Sequence, residues 1–263
     1  MRHGILILLL LVSLNGSADE QAELAKKLSN PVAALISVPL EFIVDENIGP
    51  TEDGEITLIK ASPVLPFSLN EDWNLISRTI VSYVESTDIP ARGDEETGFS
   101  DIAESIFFSP KEPTANGWIW GAGSIFLLDT ASDEALGAGK WALGPTFVGL
   151  KQEGAWTYGA LTHYLVDIAG DEDRADVEQF FLQPFLSYNI DSTKTTFTLQ
   201  AESTRDLEAD ETGTVAIFQV GQMFRIGSQI MQGRIGLRSW VEETEFGPEG
   251  TTLTAKLTFL FPR

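Results

Sequence analysis

The chain lacks cysteine altogether and has only two histidines among its 263 residues. The absence of cysteine excludes a disulfide framework and thiol chemistry. Basic side chains are also scarce: 17 lysines and arginines stand against 39 aspartates and glutamates, for a formal net charge of −22. Because binding to nucleic acid phosphates needs basic patches, this balance argues against a nucleic acid partner. It is compatible with bound divalent cations.

Long hydrophobic runs are missing as well. The apolar run at residues 5–12 is shorter than the roughly 20 residues that a membrane-spanning helix needs. It follows the basic Arg2 and precedes a stretch of small residues at 16–18, a pattern that predicts a cleaved secretory signal over residues 1–18. The mature chain is then either soluble outside the cytoplasm or embedded in a membrane through strands.

A catalytic signature is also missing. His163 is the one histidine after the predicted cleavage site, and nothing marks a serine as the nucleophile that a hydrolase would pair with it. We therefore predict no enzyme and no cofactor, and expect His163 to be a lumen or interface residue that makes one hydrogen bond.

A metal site has little support in the sequence. Asp171, Asp173 and Asp176 make one segment dense in carboxylates, and Ca²⁺ takes six to eight oxygen ligands. Their spacing does not match a calcium loop. Solvated loop charge is the favoured interpretation, and these three aspartates are kept only as alternative calcium candidates.

What the chain does have is a regular alternation of long and short polar connectors between apolar-rich segments. The long, acidic connectors are residues 45–55, 85–98, 129–139, 170–177, 206–213 and 241–250. The shorter ones between them are residues 68–72, 109–117, 151–155, 189–194 and 225–229. This alternation predicts an all-β fold over residues 35–263, a transmembrane antiparallel up-and-down barrel of about 12 strands. The acidic connectors are expected to face out of the cell.

Several segments have the period of two that a strand requires. In the last one, an apolar set alternates with a polar set: Leu253, Ala255, Leu257, Phe259 and Phe261 against Thr252, Thr254, Lys256 and Thr258. Such alternation predicts that the apolar set faces lipid on the outside and the polar set faces a wet lumen on the inside. The segments 99–108, 118–128 and 140–150 do not alternate in this way. Either they cover a packed part of the lumen or their register is misread.

Residues 19–34 differ from the rest because part of this stretch has helical spacing. Leu24 and Leu28, followed by Val32 and Leu35 after Pro31, can share one face. The expected structure is a short helix that closes the periplasmic end of the barrel, or a plug that enters the lumen.

Several motifs resemble a known family. They include NPVAALISVPLEF at 30–42, LPFSLNEDWNLISRTI at 65–80, SIFFSPKEPTANGWIWGAG at 105–123 and the closing PEGTTLTAKLTFLFPR at 248–263. These stretches resemble bacterial outer-membrane proteins grouped under the MetA pathway of phenol degradation and labelled transporters. The resemblance implies a monomeric-type outer-membrane barrel that passes small molecules, with aromatic ones among the candidates. It brings no catalytic motif with it.

The candidate functional residues are charged side chains on predicted lumen faces. Arg234, Arg238 and Lys256 lie on the last two strands, Arg78 and Lys60 on earlier ones, and Glu41, Asp101 and Glu202 are their acidic counterparts. Unpaired charge is costly away from water. These groups are therefore expected either to line a wet pore or to form a closed ion network across the lumen.

Together these features predict a protein of the Gram-negative outer membrane that passes small solutes passively. Its expected partners are outer-membrane lipid and lipopolysaccharide, the barrel-insertion machinery and a small-molecule solute. The alternative is a closed structural barrel that displays acidic loops for envelope integrity or interaction. The sequence leaves the oligomeric state open.

Overall fold

The computed structural model describes residues 18–49 and 51–262, which form one α-helix, one 3₁₀ turn at Glu134–Leu136 and 14 β-strands. The helix α1 spans Ala18–Leu28. The strands are β1 Ile36–Ile48, β2 Gly54–Ala61, β3 Val64–Ser68, β4 Trp73–Thr87, β5 Glu95–Phe99, β6 Ile102–Pro110, β7 Trp118–Leu128, β8 Lys140–Glu153, β9 Trp156–Gly170, β10 Glu178–Ile190, β11 Thr195–Asp206, β12 Glu211–Ile226, β13 Gln229–Glu242 and β14 Thr251–Phe261. Residues 1–17 of the predicted signal lie outside the described residues.

The strands close into one antiparallel barrel. Consecutive strands pair along the chain, and β14 returns to pair with β1, so that Ile36 lies opposite Phe261 and Ile43 opposite Thr254. Two positions in the wall are filled by broken strands: β2 and β3 both pair with β4, and so do β5 and β6. The wall is therefore a barrel of 12 strands with two additional strand segments, which confirms the predicted fold class.

The long and short connectors lie at opposite ends of the barrel, as the sequence predicts. The shortest ones are two-residue hairpins, between Glu153 and Trp156 and between Ile226 and Gln229. Gly154 and Gly227 occupy them with φ of 57° and 60°, a left-handed conformation that glycine adopts without steric cost. We call the end with these hairpins the inner end and the end with the acidic connectors the outer end.

Side chains on the wall alternate between the two faces. On the outside, large apolar side chains are exposed, among them Leu253 at 71%, Ile235 at 57% and Leu199 at 53%. On the inside, Thr252, Thr254 and Thr258 of β14 are buried and Lys256 is partly buried. The predicted face assignment of the last strand is therefore confirmed.

The sequence of segment 99–108 shows no period of two because the strand is interrupted there. β5 ends at Phe99 and β6 begins at Ile102. Asp101, predicted as a lumen acid, instead accepts hydrogen bonds from the backbone N–H groups of Thr130, Ala131 and Ala138. That prediction was wrong, because the break in the strand turns Asp101 toward the neighbouring outer connector.

The same break determines the face of Glu104. Phe107 is buried in the interior whereas Phe108 is exposed, so Glu104 shares the outward parity of Phe108. On that outer face Glu104 accepts hydrogen bonds from Ser77 Oγ at 2.7 Å and Thr79 Oγ1 at 2.5 Å. The two hydroxyls partly satisfy a carboxylate that would otherwise be costly on an apolar surface.

The sequences of β7 and β8 do not alternate between apolar and polar residues, because both faces of these strands are apolar. Ile125, Val148 and Leu150 point inward and are at most 5% exposed. Val148 and Leu150 belong to a cluster with Ile76 and Phe107 from the neighbouring strands. For these two strands, the correct interpretation is therefore that they cover a packed part of the lumen, and not that their register was misread.

The N-terminal segment, residues 19–34, lies inside the inner end of the barrel. Leu24 and Ala25 of α1 pack against Met223 and Ile230 of the β12–β13 hairpin. Across the lumen, Val32 joins the apolar cluster of Ile76, Phe107, Val148, Leu150 and Leu161. The segment thus contacts two opposite walls. No helix in the described part of the chain has the length and apolar character needed to cross a membrane.

Candidate functional site: the barrel lumen

The lumen has two chemically different sides. The inward side chains of β6 to β9 are mainly apolar, including Phe107, Val148, Leu150 and Leu161. Most of the charged ones come from β1, β2, β4, β11, β13 and β14. They form two clusters at different heights: the inner cluster of Glu41, Lys60, Arg78, Arg234 and Lys256, and the outer cluster of Asp45, Glu202 and Arg238.

Glu41 organises the inner cluster. The strand register places it directly opposite Lys60 on β2 and Lys256 on β14, and both ammonium groups approach its Oε2, at 3.3 Å and 3.1 Å. Its Oε1 accepts hydrogen bonds from Gln219 and Thr254. Glu41 as a whole residue is 5% exposed. One buried carboxylate is therefore shared by two cations and two neutral donors.

Arg238 organises the outer cluster. Its guanidinium lies 3.4 Å from Asp45 Oδ2 and 3.8 Å from Glu202 Oε2. The indole N–H of Trp240 donates to Asp45 Oδ1 at 3.2 Å, and the Trp240 ring lies 5.6 Å from the guanidinium carbon. Glu202 also accepts hydrogen bonds from Gln183 and Gln200. In this cluster two carboxylates face one cation.

Arg234 and Arg78 differ from Arg238 in their partners. Arg234 Nε donates to Gln232 Oε1 at 2.6 Å. Among the residues that the structure describes, no carboxylate lies within 4.0 Å of either Arg234 or Arg78. The inner cluster therefore sets four cations against one carboxylate, and the outer cluster has the opposite excess. Arg234 and Arg238 lie on the same face of β13 in environments of opposite charge.

Residues of each charged cluster line a cavity. The outer cavity, of about 370 Å³, is lined by residues from β10 to β13, including Phe181, Glu202, Asp206, Arg238 and Trp240. The inner cavity, of about 170 Å³, is lined by Arg78, Arg234 and Lys256 and by Gln183 and Gln200. Because those two glutamines donate to Glu202, they join the outer cluster to the wall of the inner cavity.

The N-terminal segment forms the floor of the inner cavity. Leu28, Ser29 and Pro31 line it from below. The chain is held there by side-chain contacts to the wall: Gln152 Nε2 donates to the Lys26 carbonyl at 2.8 Å, and Arg225 lies 3.2 Å from Glu20. A third cavity, bounded by Ala22, Lys26 and the β8–β9 and β10–β11 turns, lies on the inner side of this segment.

The remaining candidates belong to neither charged cluster. His163 faces inward, where its ring stacks on Phe181 with centroids 4.7 Å apart. Of the calcium candidates, Asp176 lies 2.8 Å from Lys140 Nζ, and Asp171 accepts the backbone N–H of Asp173. Within residues 18–49 and 51–262, no group of three or more histidine, aspartate or glutamate side chains is arranged to hold a metal ion.

Sequence reasoning missed the contacts of two lumen residues with Arg238. Asp45 was assigned to an acidic connector, and Trp240 was not among the candidate site residues. Both instead contact Arg238 in the lumen. The sequence spacing contained the necessary signal. Asp45 shares the face of Glu41 on β1, and Trp240 shares the face of Arg238 on β13. Extending the period of two by two steps from Glu41 and by one step from Arg238 would have found them.

Comparison with known proteins supports the fold. No family model and no curated protein matches the chain, so membership of the phenol-degradation family stays an expectation from the sequence. An outer membrane channel from Pseudomonas putida F1 is similar in structure, with a TM-score of 0.65 and 14% identity over 86% of this chain and 93% of that one. A FadL homologue from Pseudomonas aeruginosa aligns over 80% of this chain and 68% of its own, with 12% identity and a TM-score of 0.34. At such identities the likeness concerns the fold alone.

Proposed function

We propose that the protein is a passive channel of the outer membrane for small organic solutes, with the lumen as its pathway. The proposed location rests on the outer surface of the barrel, where apolar side chains such as Leu253, Ile235 and Phe218 are exposed. An exposed apolar surface of this extent is unfavourable in water and suits contact with lipid. The Pseudomonas putida neighbour, described as an outer membrane channel, supports the same proposal.

The observation that carries the channel function is the pair of cavities inside the wall. The outer one faces the acidic connectors and the inner one lies beneath it, with Glu202 and Arg238 at the outer level and Arg234 below. Charged groups line one side of the lumen and apolar groups the other. A solute with both polar and apolar parts can therefore contact matching groups at each step. The N-terminal segment is the proposed barrier at the inner end.

The proposed partners follow from this location. Outer-membrane lipid would cover the apolar belt, and the barrel-insertion machinery would assemble the strands. The outer connectors carry many carboxylates, which divalent cations would link to the phosphates of lipopolysaccharide. The small-molecule solute is the transported partner.

Recordings in planar bilayers test the channel directly. Purified barrel, folded as judged by heat-modifiable gel mobility, is expected to give discrete conductance steps and to let small organic solutes enter liposomes. A folded barrel that gives neither conductance nor solute entry would contradict the channel. The closed structural barrel would then be the better account, with the ion pairs of Glu41 and Arg238 serving stability alone.

The orientation has its own test. Asp173 lies in an outer connector and Ser192 in an inner turn, and both are exposed. In intact cells, a membrane-impermeant thiol reagent is expected to label Asp173→Cys and to leave Ser192→Cys unlabelled until the cells are lysed. Since the chain has no other cysteine, the background is clean. Labelling of Ser192→Cys alone would reverse the proposed orientation, and recovery of the protein only in the soluble fraction would refute the location.

A further inference from the structure

The inner cavity concentrates positive charge that the protein itself does not neutralise. Arg78, Arg234 and Lys256 all line it, and of these only Lys256 has a carboxylate within 4.0 Å among the described residues. Lys60 competes with Lys256 for that same carboxylate of Glu41. Because buried charge is costly unless it is paired, a cavity of this kind favours an anion.

The same cavity also has apolar lining residues. Val64 lies beside Arg78, and Leu161 and Phe185 contribute from β9 and β10. The polar residues of this lining include Gln183, Ser187, Thr198 and Gln200, and Leu28 and Pro31 of the N-terminal segment form its floor. Its volume is about 170 Å³, and an apolar protein cavity of about 150 Å³ accommodates a benzene ring. The cavity therefore has room for one compact apolar group beside one charged group.

We propose that the inner cavity is a binding site for a small organic monoanion, a carboxylate carried on a single ring or a group of similar size. The carboxylate lies between the guanidinium groups of Arg78 and Arg234, which form charge-assisted hydrogen bonds with it. The ring lies against Leu161 and Phe185. This assignment rests on the proposed channel function, for which it names the class of solute.

The outer cluster explains why a single negative charge is favoured. A solute entering from outside first passes Asp45 and Glu202, which outnumber Arg238. A dianion is repelled there twice as strongly as a monoanion. A cation is attracted to this level and then repelled by Arg78 and Arg234. A monoanion with an apolar ring also meets an aromatic side chain at each level, since Phe181 lines the outer cavity and Phe185 the inner one, with Gln183 between them on β10.

Equilibrium dialysis of the full-length folded protein in detergent tests the site. The probes are radiolabelled benzoate, its neutral analogue benzamide, and acetate, which has the charge without the ring. We expect benzoate to bind at least about tenfold more tightly than benzamide, which is the usual contribution of one charge-assisted hydrogen bond. We also expect it to bind more tightly than acetate, because acetate buries no ring. This comparison uses the wild-type protein alone and does not depend on the folding of any variant.

Variants then assign the contacts. Arg78→Gln and Arg234→Gln are each expected to weaken benzoate binding by about tenfold, and Arg234→Lys to restore part of it. Phe185→Ala should weaken the binding of benzoate and leave that of acetate unchanged. The matched control is Arg205→Gln, which also removes one arginine, but from an outward-facing pair with Asp210 at the outer end; benzoate binding should not change.

The outcomes separate this site from the channel itself. Benzoate and benzamide binding with equal affinity, or no loss in Arg78→Gln and Arg234→Gln, would overturn the anion site even if the barrel conducts. Benzoate binding that depends on both arginines without any entry of benzoate into liposomes would keep the site and refute the channel.

Discussion

Deletion of residues 19–34 is expected to raise the single-channel conductance of the barrel severalfold. The reason is geometric: the N-terminal segment spans the lumen at its inner end, with Leu24 and Ala25 against one wall and Val32 against the other. Without it, the inner cavity opens toward the turns of the inner end. The measurement is conductance in a planar bilayer, with heat-modifiable gel mobility as the check on folding.

A milder double substitution and a matched control keep this test decisive if the deletion does not fold. Replacing Leu24 and Leu28 by serine weakens the packing of α1 on Met223 and Ile230 and should increase the frequency of openings. Replacing Glu23 and Lys27 by alanine removes an exposed ion pair of the same helix, which should leave conductance unchanged. Equal conductance in the wild-type, serine and deletion proteins would show that the segment is not the barrier.

The sequence predicted the wall of this barrel well because the wall is a local pattern. The period of two over 252–261, together with the connectors, was enough to place Lys256 inside and Leu257 outside. The period of two failed as a guide at 99–108, because a break between β5 and β6 changes which residues face inward. Such a break has no local signature in this sequence. The period of two was also ambiguous at β7 and β8, since a packed lumen makes both faces of a strand apolar.

The candidate site was predicted only as a set of residues. The sequence placed Arg234 and Arg238 on one face and gave them a common role, either in lining a wet pore or in a closed ion network. The structure separates them, because the partners of Arg238 are Asp45 and Glu202, which lie on β1 and β11. Such partners depend on closure of the barrel and on the heights of strands far apart in the sequence. No local pattern contains that information.

Glu41→Gln is expected to cost about 3–5 kcal/mol of folding stability, the usual effect of removing one partner from a buried ion pair. Glu41 faces Lys60 on one side and Lys256 on the other, so it links β2, β1 and β14 at the point where the barrel closes. A slip of one residue in either pairing would turn Glu41 to the outer face. Its loss would leave the four cations of the inner cluster with no carboxylate among them.

The measurement is urea unfolding of the barrel in lipid vesicles, with Glu202→Gln as the matched control. Glu202 is the more exposed carboxylate, and its Arg238 partner retains Asp45, so its substitution should cost much less. A triple variant, Glu41→Leu with Lys60→Met and Lys256→Met, should recover much of the loss, because replacing a whole buried ion cluster by apolar groups is often neutral or stabilising. If Glu41→Gln and Glu202→Gln have equal and small effects, Glu41 does not fix the closure. The inner cluster would then act on solutes alone.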